Sequence, residues 1–464
     1  MSDLLLTHGY FLYEDPKELQ ILKPYVPLGL LYICAHLRTK GFDVDVFDTT
    51  FSSMEDLKRH LESERPSVLG IYANLMTRKK VVEILQIAQR SGWRTVVGGP
   101  EPGAYVREYL EAGAEVVVIG EGETAMEELL PALRTRSDAT LQHISGIAFL
   151  DNSGRLHQTG PRPQIPDLDA LPWPARDAID IQKYVETWRG AHGEGSLSFI
   201  TARGCPYHCR WCSHQVFGKT HRRRKPAKVV DEVEWLLNTY HPDMVWIADD
   251  VFTIHHGWLR AYAAEMRQRG LHIPFECITR ADRLNPESAD LLAELGCFRL
   301  WIGSESGSQK ILDGMERGVT VEQVHSAVDL CKARGIQTGM FLMWGYEGEE
   351  LEDIEATIDH VKRTDPDVFF TTVAYPIKGT PYYEKTVNSL VQLKPWRQSS
   401  DRELLLRGRH SPEFYAFADR LLQNEVQLAR LQRGGQDELA QQGLRQQVRM
   451  LRESLYASSS EVKT

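Results

Sequence analysis

At 464 residues, with 42% hydrophobic and 25% charged residues, the chain has an ordinary soluble composition and room for two or three separately cored domains. A formal net charge of -10 excludes broad affinity for nucleic acid, because neutralising phosphates needs a basic face, and a small or neutral substrate fits better. No apolar run reaches the roughly 18 to 20 residues of a membrane span, and the opening MSDLLLTHGYFLYEDP has neither a basic n-region nor a cleavage site. A cytoplasmic protein is therefore expected.

From Asp3 to about Leu133 short apolar runs alternate with amphipathic stretches. The runs are DLLLT (3–7), VDVFD (44–48), SVLGIYA (67–73), TVVGGP (95–100) and EVVVIG (115–120), and helical patterns such as 27–41 and 76–92 lie between them. This βαβα succession predicts a parallel, doubly wound sheet covered on both faces. The rhythm breaks over 138–195, where a strand-like ISGIAFLDNSGRL is followed by PRPQIPDLDALPWPARD. Proline at that density opposes helix and reads as an extended connector.

A second series starts at SLSFITARGC (196–205) and continues through MVWIADDVF (244–252), IPFECITRAD (273–282), FRLWIGSES (298–306), QTGMFLMWGY (337–346) and DVFFTTVAYP (367–376). With helical segments between them, six strand–helix units predict a partial TIM-type barrel with its chemistry at the carboxyl ends of the strands. The resulting division is 1–140 for the N-terminal domain, 141–195 for a linker, 196–385 for the barrel and 386–464 for a C-terminal helical region. The tail 433–464, rich in Gln and Arg, reads as a solvated helix with a disordered end.

Seven cysteines without a secretory signal do not make a disulfide framework. Cys34, Cys277, Cys297 and Cys331 are scattered, as buried small hydrophobes are. Cys205, Cys209 and Cys212 instead stand as C-x3-C-x2-C directly after a strand. Three thiolates on one short loop can ligate three irons of a cubane and leave the fourth open to another ligand. A zinc knuckle is the other reading, and it would want a fourth ligand such as His208 or His214.

TARGCPYHCRWCSHQ, with Trp211 before the last cysteine, resembles the signature loop of the radical S-adenosylmethionine (SAM) superfamily. The resemblance extends over roughly 196–385 and implies a [4Fe–4S] cluster on Cys205, Cys209 and Cys212. It places Asp249 and Asp250 near the SAM amino group, and Arg280, Ser304 and Glu305 at its carboxylate and ribose; PIKGTPYY (376–383) matches the last-strand motif. Read from the residues alone, Asp250 or Glu305 could equally be an N-cap or a barrel salt bridge. The implied chemistry is reductive cleavage of SAM to a 5′-deoxyadenosyl radical that abstracts hydrogen from an unactivated carbon, with electrons from a donor such as flavodoxin or ferredoxin.

The N-terminal half resembles the cobalamin-binding domain of one subgroup of that superfamily, on the strength of 27–48, GGPEPG (98–103), VVIGEGE (117–123) and LPWPARD (171–177). Glycines at strand ends let backbone approach a planar ligand, which singles out Gly98, Gly99, Gly120 and Gly122. No GxGxxG follows the first strand, which disfavours a dinucleotide. The DxHxxG sequence that brings a lower axial histidine is absent, and His8 is a lone loop histidine. The resemblance implies a C-methyltransferase that passes a methyl group from methylcobalamin to a small molecule. The rivals are an oxidative cyclase or ring-rearranging enzyme of the same architecture and, from another class, a cobalamin- or SAM-responsive binding protein. Aromatic residues at the barrel strands (Trp246, Trp301, Phe341, Trp344, Tyr375) fit a hydrophobic or ring-bearing substrate or ordinary packing. The basic run His221 to Lys225 fits phosphate contacts, SAM-loop contacts or simple solvation.

Overall fold

The computed structural model describes residues 2–135, 138–435 and 438–459. It divides into two compact units, Met1–Pro206 with Ser213–Asp249 and Leu393–Glu403, and Tyr207–Cys212 with Asp250–Gln392 and Leu404–Thr464.

In the first unit β1 (Leu4–His8), α1 (Leu28–Thr39), β2 (Val44–Phe47), α2 (Met54–Ser63), β3 (Val68–Tyr72), α3 (Arg78–Arg90), β4 (Arg94–Gly98), α4 (Val106–Glu111), β5 (Val116–Val118) and α5 (Glu123–Thr135) follow in order. The strands stand as β2-β1-β3-β4-β5, all parallel. Every residue of β1 is buried, as a central parallel strand covered on both faces requires. Leu5, Leu69 and Ile71 pack against Val81 and Leu85 of α3. Leu4, Leu6 and Val116 pack on the other face against Leu30 and Cys34 of α1 and Leu129 of α5.

Two features depart from the sequence expectation. The strand-like ISGIAFLDNSGRL does form strands, but they belong to the first sheet and not to a linker over 141–195: β6 (Ile147–Leu150) pairs antiparallel with β5, and β7 (Leu156–Gln158) with β6. Asp151 closes the hairpin by accepting from the amides of Ser153 at 2.9 Å and Arg155 at 3.0 Å. The proline-rich stretch is then followed by a helix, α6 (Ile181–His192). Asp180 caps it and Gly193 ends it in a left-handed turn, while Ile181, Tyr184, Val185 and Trp188 bury one face. The prolines lie upstream and exert no constraint on it. This unit also holds β8 (Ser196–Phe199), α7 (Pro226–Tyr240) and β9 (Met244–Ile247), with β8 and β9 parallel.

The second unit continues with α8 (His256–Gln268), β10 (Phe275–Thr279), α9 (Pro286–Leu295), β11 (Cys297–Glu305), α10 (Val321–Lys332), β12 (Gln337–Trp344), α11 (Leu351–Thr364), β13 (Val368–Val373) and α12 (Pro381–Thr386). Its four strands are parallel in chain order. From β8 to β13, each of the six strands is followed by a helix, as expected. Residues 386–411 are short turns and a two-stranded hairpin (Leu390–Val391 with Leu405–Leu406) rather than helix. Helices α13 (Pro412–Gly434) and α14 (Glu438–Ser459) close the chain. The second is not wholly solvated, because Val448 and Leu455 are buried against Leu421, Leu422 and Val426. The expected disordered end at 460–464 lies outside the described residues.

Candidate functional site

Cys205 is half-buried, Cys209 buried and Cys212 exposed, and none is in a disulfide. The turn leading into the loop requires glycine: Gly204 has φ of +84°, and a Cβ there would stand 2.3 Å from the Thr220 carbonyl oxygen. Further along, Trp211 packs against Ile311, Met315, Met343, Tyr346, Ala374 and Tyr382, which explains why an aromatic residue precedes the last cysteine. The Arg210 amide donates to Met315 O at 3.0 Å and the Tyr382 amide to Arg210 O at 3.0 Å. The PIKGTPYY motif thus buttresses the loop from behind.

Two guanidinium groups meet Cys209. Arg280 Nη1 stands 3.7 Å and Arg317 Nη1 3.5 Å from its Sγ. Both arginines are buried and held from the other side. Arg280 bonds Asp282 at 2.9 Å and the Arg317 carbonyl at 2.8 Å, and lies 3.7 Å over the Tyr207 ring. Arg317 donates to the Gly303 carbonyl at 2.9 Å and lies 3.7 Å from Glu305 Oε1. Arg317 was not singled out from sequence.

Glu305 sits at a register shift of β11, with φ of +63°, an uncommon conformation for a non-glycine residue and one that concentrates at functional sites. Burial pushes its carboxyl above the usual range, while Arg317 and Arg280 pull it back. Ser304, its neighbour, points to the opposite face, as alternation demands. Its hydroxyl is 2.8 Å from His360 Nε2, and His360 Nδ1 is 2.9 Å from His325 Nε2. The structure therefore brings Arg280, Arg317 and Glu305 to the cysteine loop and sends Ser304 toward the helix layer.

Asp249 is buried and fully engaged. It accepts from the amides of Thr201 at 2.7 Å and Ala202 at 3.0 Å, from the Thr201 hydroxyl, and from Arg223 at 2.9 Å. It braces the strand leading into the cysteine loop. Asp250 is exposed. Among the aromatic residues, Trp301 stacks on Phe341 at 5.1 Å and on Phe370 at 5.4 Å. Trp344 instead joins the core with Ile354 and Phe414 on the helix side.

In the first unit the glycine turns divide by role. Gly99, with φ of +117°, lies against the end of β3, where a Cβ would meet Ala73 O at 2.3 Å. Gly122 makes room for Ile33 of α1. Gly98 and Gly120 carry only ordinary van der Waals contacts, a Cβ there meeting Val118 at 3.6 Å and the Val216 carbonyl at 3.9 Å. His8 is committed: its Nδ1 accepts the Tyr10 amide at 3.2 Å, and its Nε2 bonds Asp48 at 3.0 Å. Neither ring nitrogen is available to cobalt. The run 221–225 is likewise spent on the protein, with Arg222 on Glu121, Arg223 on Asp249 and Arg224 on Glu232.

Residues 199–361 match the model of the radical SAM superfamily and residues 20–130 that of the B12 binding domain. An uncharacterised methyltransferase, PH0819 of Pyrococcus horikoshii, is 30% identical over 398 residues, covering 83% of each chain. The chain belongs to the B12-dependent radical SAM methyltransferase family. The anaerobic magnesium-protoporphyrin IX monomethyl ester cyclase of Rubrivivax gelatinosus is 28% identical over 75% of this chain and 64% of its own. The same fold is found in TsrM, a radical SAM methyltransferase of Kitasatospora setae solved with cobalamin and a [4Fe–4S] cluster. There the TM-score is 0.69 at 22% identity, over 87% of this chain and 84% of that one.

The enzyme thus works with a [4Fe–4S] cluster, SAM and cobalamin. Its donor set fits the cluster, with three cysteine thiols outside any disulfide on one loop and two guanidiniums facing the buried one. Among the described residues no three His, Cys, Asp or Glu side chains gather as a single metal ion would need. No helix among the described residues is long and apolar enough to cross a membrane.

Proposed function

We propose that this enzyme methylates an unactivated carbon of a small molecule, using one SAM as radical source and a second as methyl donor. The observation that carries the site assignment is the convergence of Arg280 and Arg317 on Cys209 Sγ with Glu305 behind them. Bound together, cluster and SAM supply a carbon-centred radical, and cobalamin supplies the methyl group.

The protein's own residues orient and insulate. Cys205, Cys209 and Cys212 hold the cluster. Arg280 and Arg317 offer buried N–H donors for the SAM carboxylate, and Glu305 accepts from its ribose hydroxyls. The exposed carboxylate of Asp250 takes the SAM amino group, because that of Asp249 is consumed by the strand it braces. Gly98 and Gly120 let the strand-end backbone approach the corrin ring. With His8 engaged by Asp48, no histidine reaches cobalt from β1, and bound cobalamin is expected without a protein ligand there. The inner-face stack of Trp301, Phe341 and Phe370 ends in a Phe370 ring that is 56% exposed, which supports a hydrophobic or ring-bearing substrate. Electrons come from a low-potential donor such as flavodoxin or ferredoxin.

The test is an anaerobic incubation of cobalamin-loaded, cluster-reconstituted protein with methyl-labelled SAM and reductant. Label on cobalamin with formation of S-adenosylhomocysteine and 5′-deoxyadenosine supports methyl transfer. If 5′-deoxyadenosine forms and the label appears only in methionine, with none on cobalamin or product, the cyclase reading, which the Rubrivivax relative favours, replaces it.

A further inference from the structure

The turn beyond β5 that carries Gly120 and Gly122 is joined to the arms of the cysteine loop by one side chain. Glu121 is 5% exposed. Its Oε1 accepts from Arg203 Nη1 at 2.8 Å, and its Oε2 from Arg222 Nη1 at 2.7 Å and the Ile165 amide at 2.8 Å. Arg203 precedes Cys205, and Arg222 follows Cys212 along the chain; the two arginines pair antiparallel in a short ladder. Glu123 adds one contact, to Arg203 Nη2 at 2.6 Å.

The arm after the cysteines is fitted onto the same turn. A Cβ on Gly103 would stand 3.4 Å from Gln215 Oε1, and one on Gly120 3.9 Å from the Val216 carbonyl. Gln164, beside Ile165, donates to the Phe217 carbonyl and accepts from the Thr220 hydroxyl at 2.6 Å. Burying two carboxylates and the Arg203 guanidinium, with Arg222 half-buried beside them, is a poor route to stability, since desolvation offsets most of the attraction; the best-attested use of such a network is to specify position.

We propose that Glu121 is a positioning residue for methyl transfer, fixing both arms of the cluster loop to a strand-end turn of the cobalamin-binding domain. The proposal rests on the cofactor reading above, but its test separates the two. Glu121→Gln, Glu123→Gln and Arg222→Gln are prepared in the full chain, grown with cobalamin and reconstituted with the cluster. Each neutralises one charge of the network, yet of these three residues only Glu121 and Arg222 belong to the bridge between the arms.

Amide hydrogen exchange over 203–222 is expected to rise about tenfold or more in Glu121→Gln and Arg222→Gln and to stay within about threefold of wild type in Glu123→Gln. The magnetic coupling between the reduced cluster and Co(II) cobalamin, seen as line broadening in the electron paramagnetic resonance spectrum, should change in the first two variants and not in the third. A merely stabilising role would lower the melting temperature of the three alike and leave the coupling intact. Equal exchange in Glu121→Gln and Glu123→Gln overturns the proposal, and Arg222→Gln decides it should Glu121→Gln not fold. Wild-type protein that holds no cobalamin would sink the functional reading instead, while the exchange comparison would still judge the bridge.

Discussion

Cys209 differs from the other loop cysteines in being buried between two cations, so its contribution cannot be replaced by solvent. Changing Cys205, Cys209 or Cys212 to Ala is expected to abolish reductive SAM cleavage, since a cubane with two protein ligands is not retained in reducing solution. A single-Ala variant that still makes 5′-deoxyadenosine at the wild-type rate would refute the assignment. Arg280→Ala and Glu305→Ala should each weaken SAM binding by roughly 1.5 to 3 kcal/mol, the worth of a charge-assisted hydrogen bond, and Arg317→Ala by a similar amount, as equilibrium binding of SAM to reconstituted protein would show. Glu349 offers a different readout. One of its oxygens accepts the Gly345 amide and the other is buried with no hydrogen-bond partner. Burial pushes its carboxyl up to about 8. A carboxyl raised above its unfolded value stabilises fully below that unfolded value, and the benefit is lost as pH climbs toward the folded one. Each unit is worth about 1.4 kcal/mol, so stability should fall markedly between pH 5 and about 8. In Glu349→Gln that slope should flatten, as denaturant unfolding at three pH values would reveal.

At the level of elements, the segment Leu393–Glu403 is held in the first unit by a charge cluster. Arg78, at the start of α3, is 2% exposed. It bonds Glu101, the Ser399 carbonyl at 3.0 Å and Asp401 at 2.6 Å, under the ring of Tyr105. Tyr105 and Tyr109 donate in turn to Asp401 and Glu101. Removing the cation leaves two buried carboxylates uncompensated, so Arg78→Ala should cost about 3 to 5 kcal/mol, and limited proteolysis should then cut within 393–403 before elsewhere. An unchanged melting temperature and an uncut segment would deny the strap. Neither Arg78 nor Asp401 advertises this in sequence, because the partners lie hundreds of positions apart. By contrast α6 was legible in principle: Asp180, the spacing Ile181, Tyr184, Val185, Trp188, and Gly193 form a complete helix signature that the neighbouring prolines overshadowed.

For the molecule as a whole, the hairpin of β6 and β7 means that the first sheet ends at Gln158. Deleting only 1–140 would strip β6 of its partner β5 and expose Phe149, which is 1% exposed in the intact fold. Cobalamin binding is therefore best measured on the full chain, where near one equivalent should copurify from cobalamin-supplemented cells. Protein from such cells that carries none would refute the cofactor's assignment.

Local pattern by itself determined the βαβα succession, the six strand–helix units and the cysteine loop, because each depends on short-range periodicity or spacing that survives in one dimension. Arg280 and Glu305, at strand ends where chemistry collects, came instead from the resemblance to the radical SAM superfamily that the cysteine loop carries. Tertiary structure alone decided which of the candidate carboxylates and hydroxyls remain available. Asp249 is saturated by its own strand, Ser304 by His360, and His8 by Asp48. It alone revealed Arg317 beside Cys209 and Glu121 astride the loop's two arms. The reason is physical: a polar side chain's role is set by which partners reach it once it is buried, and those partners come from residues distant in sequence.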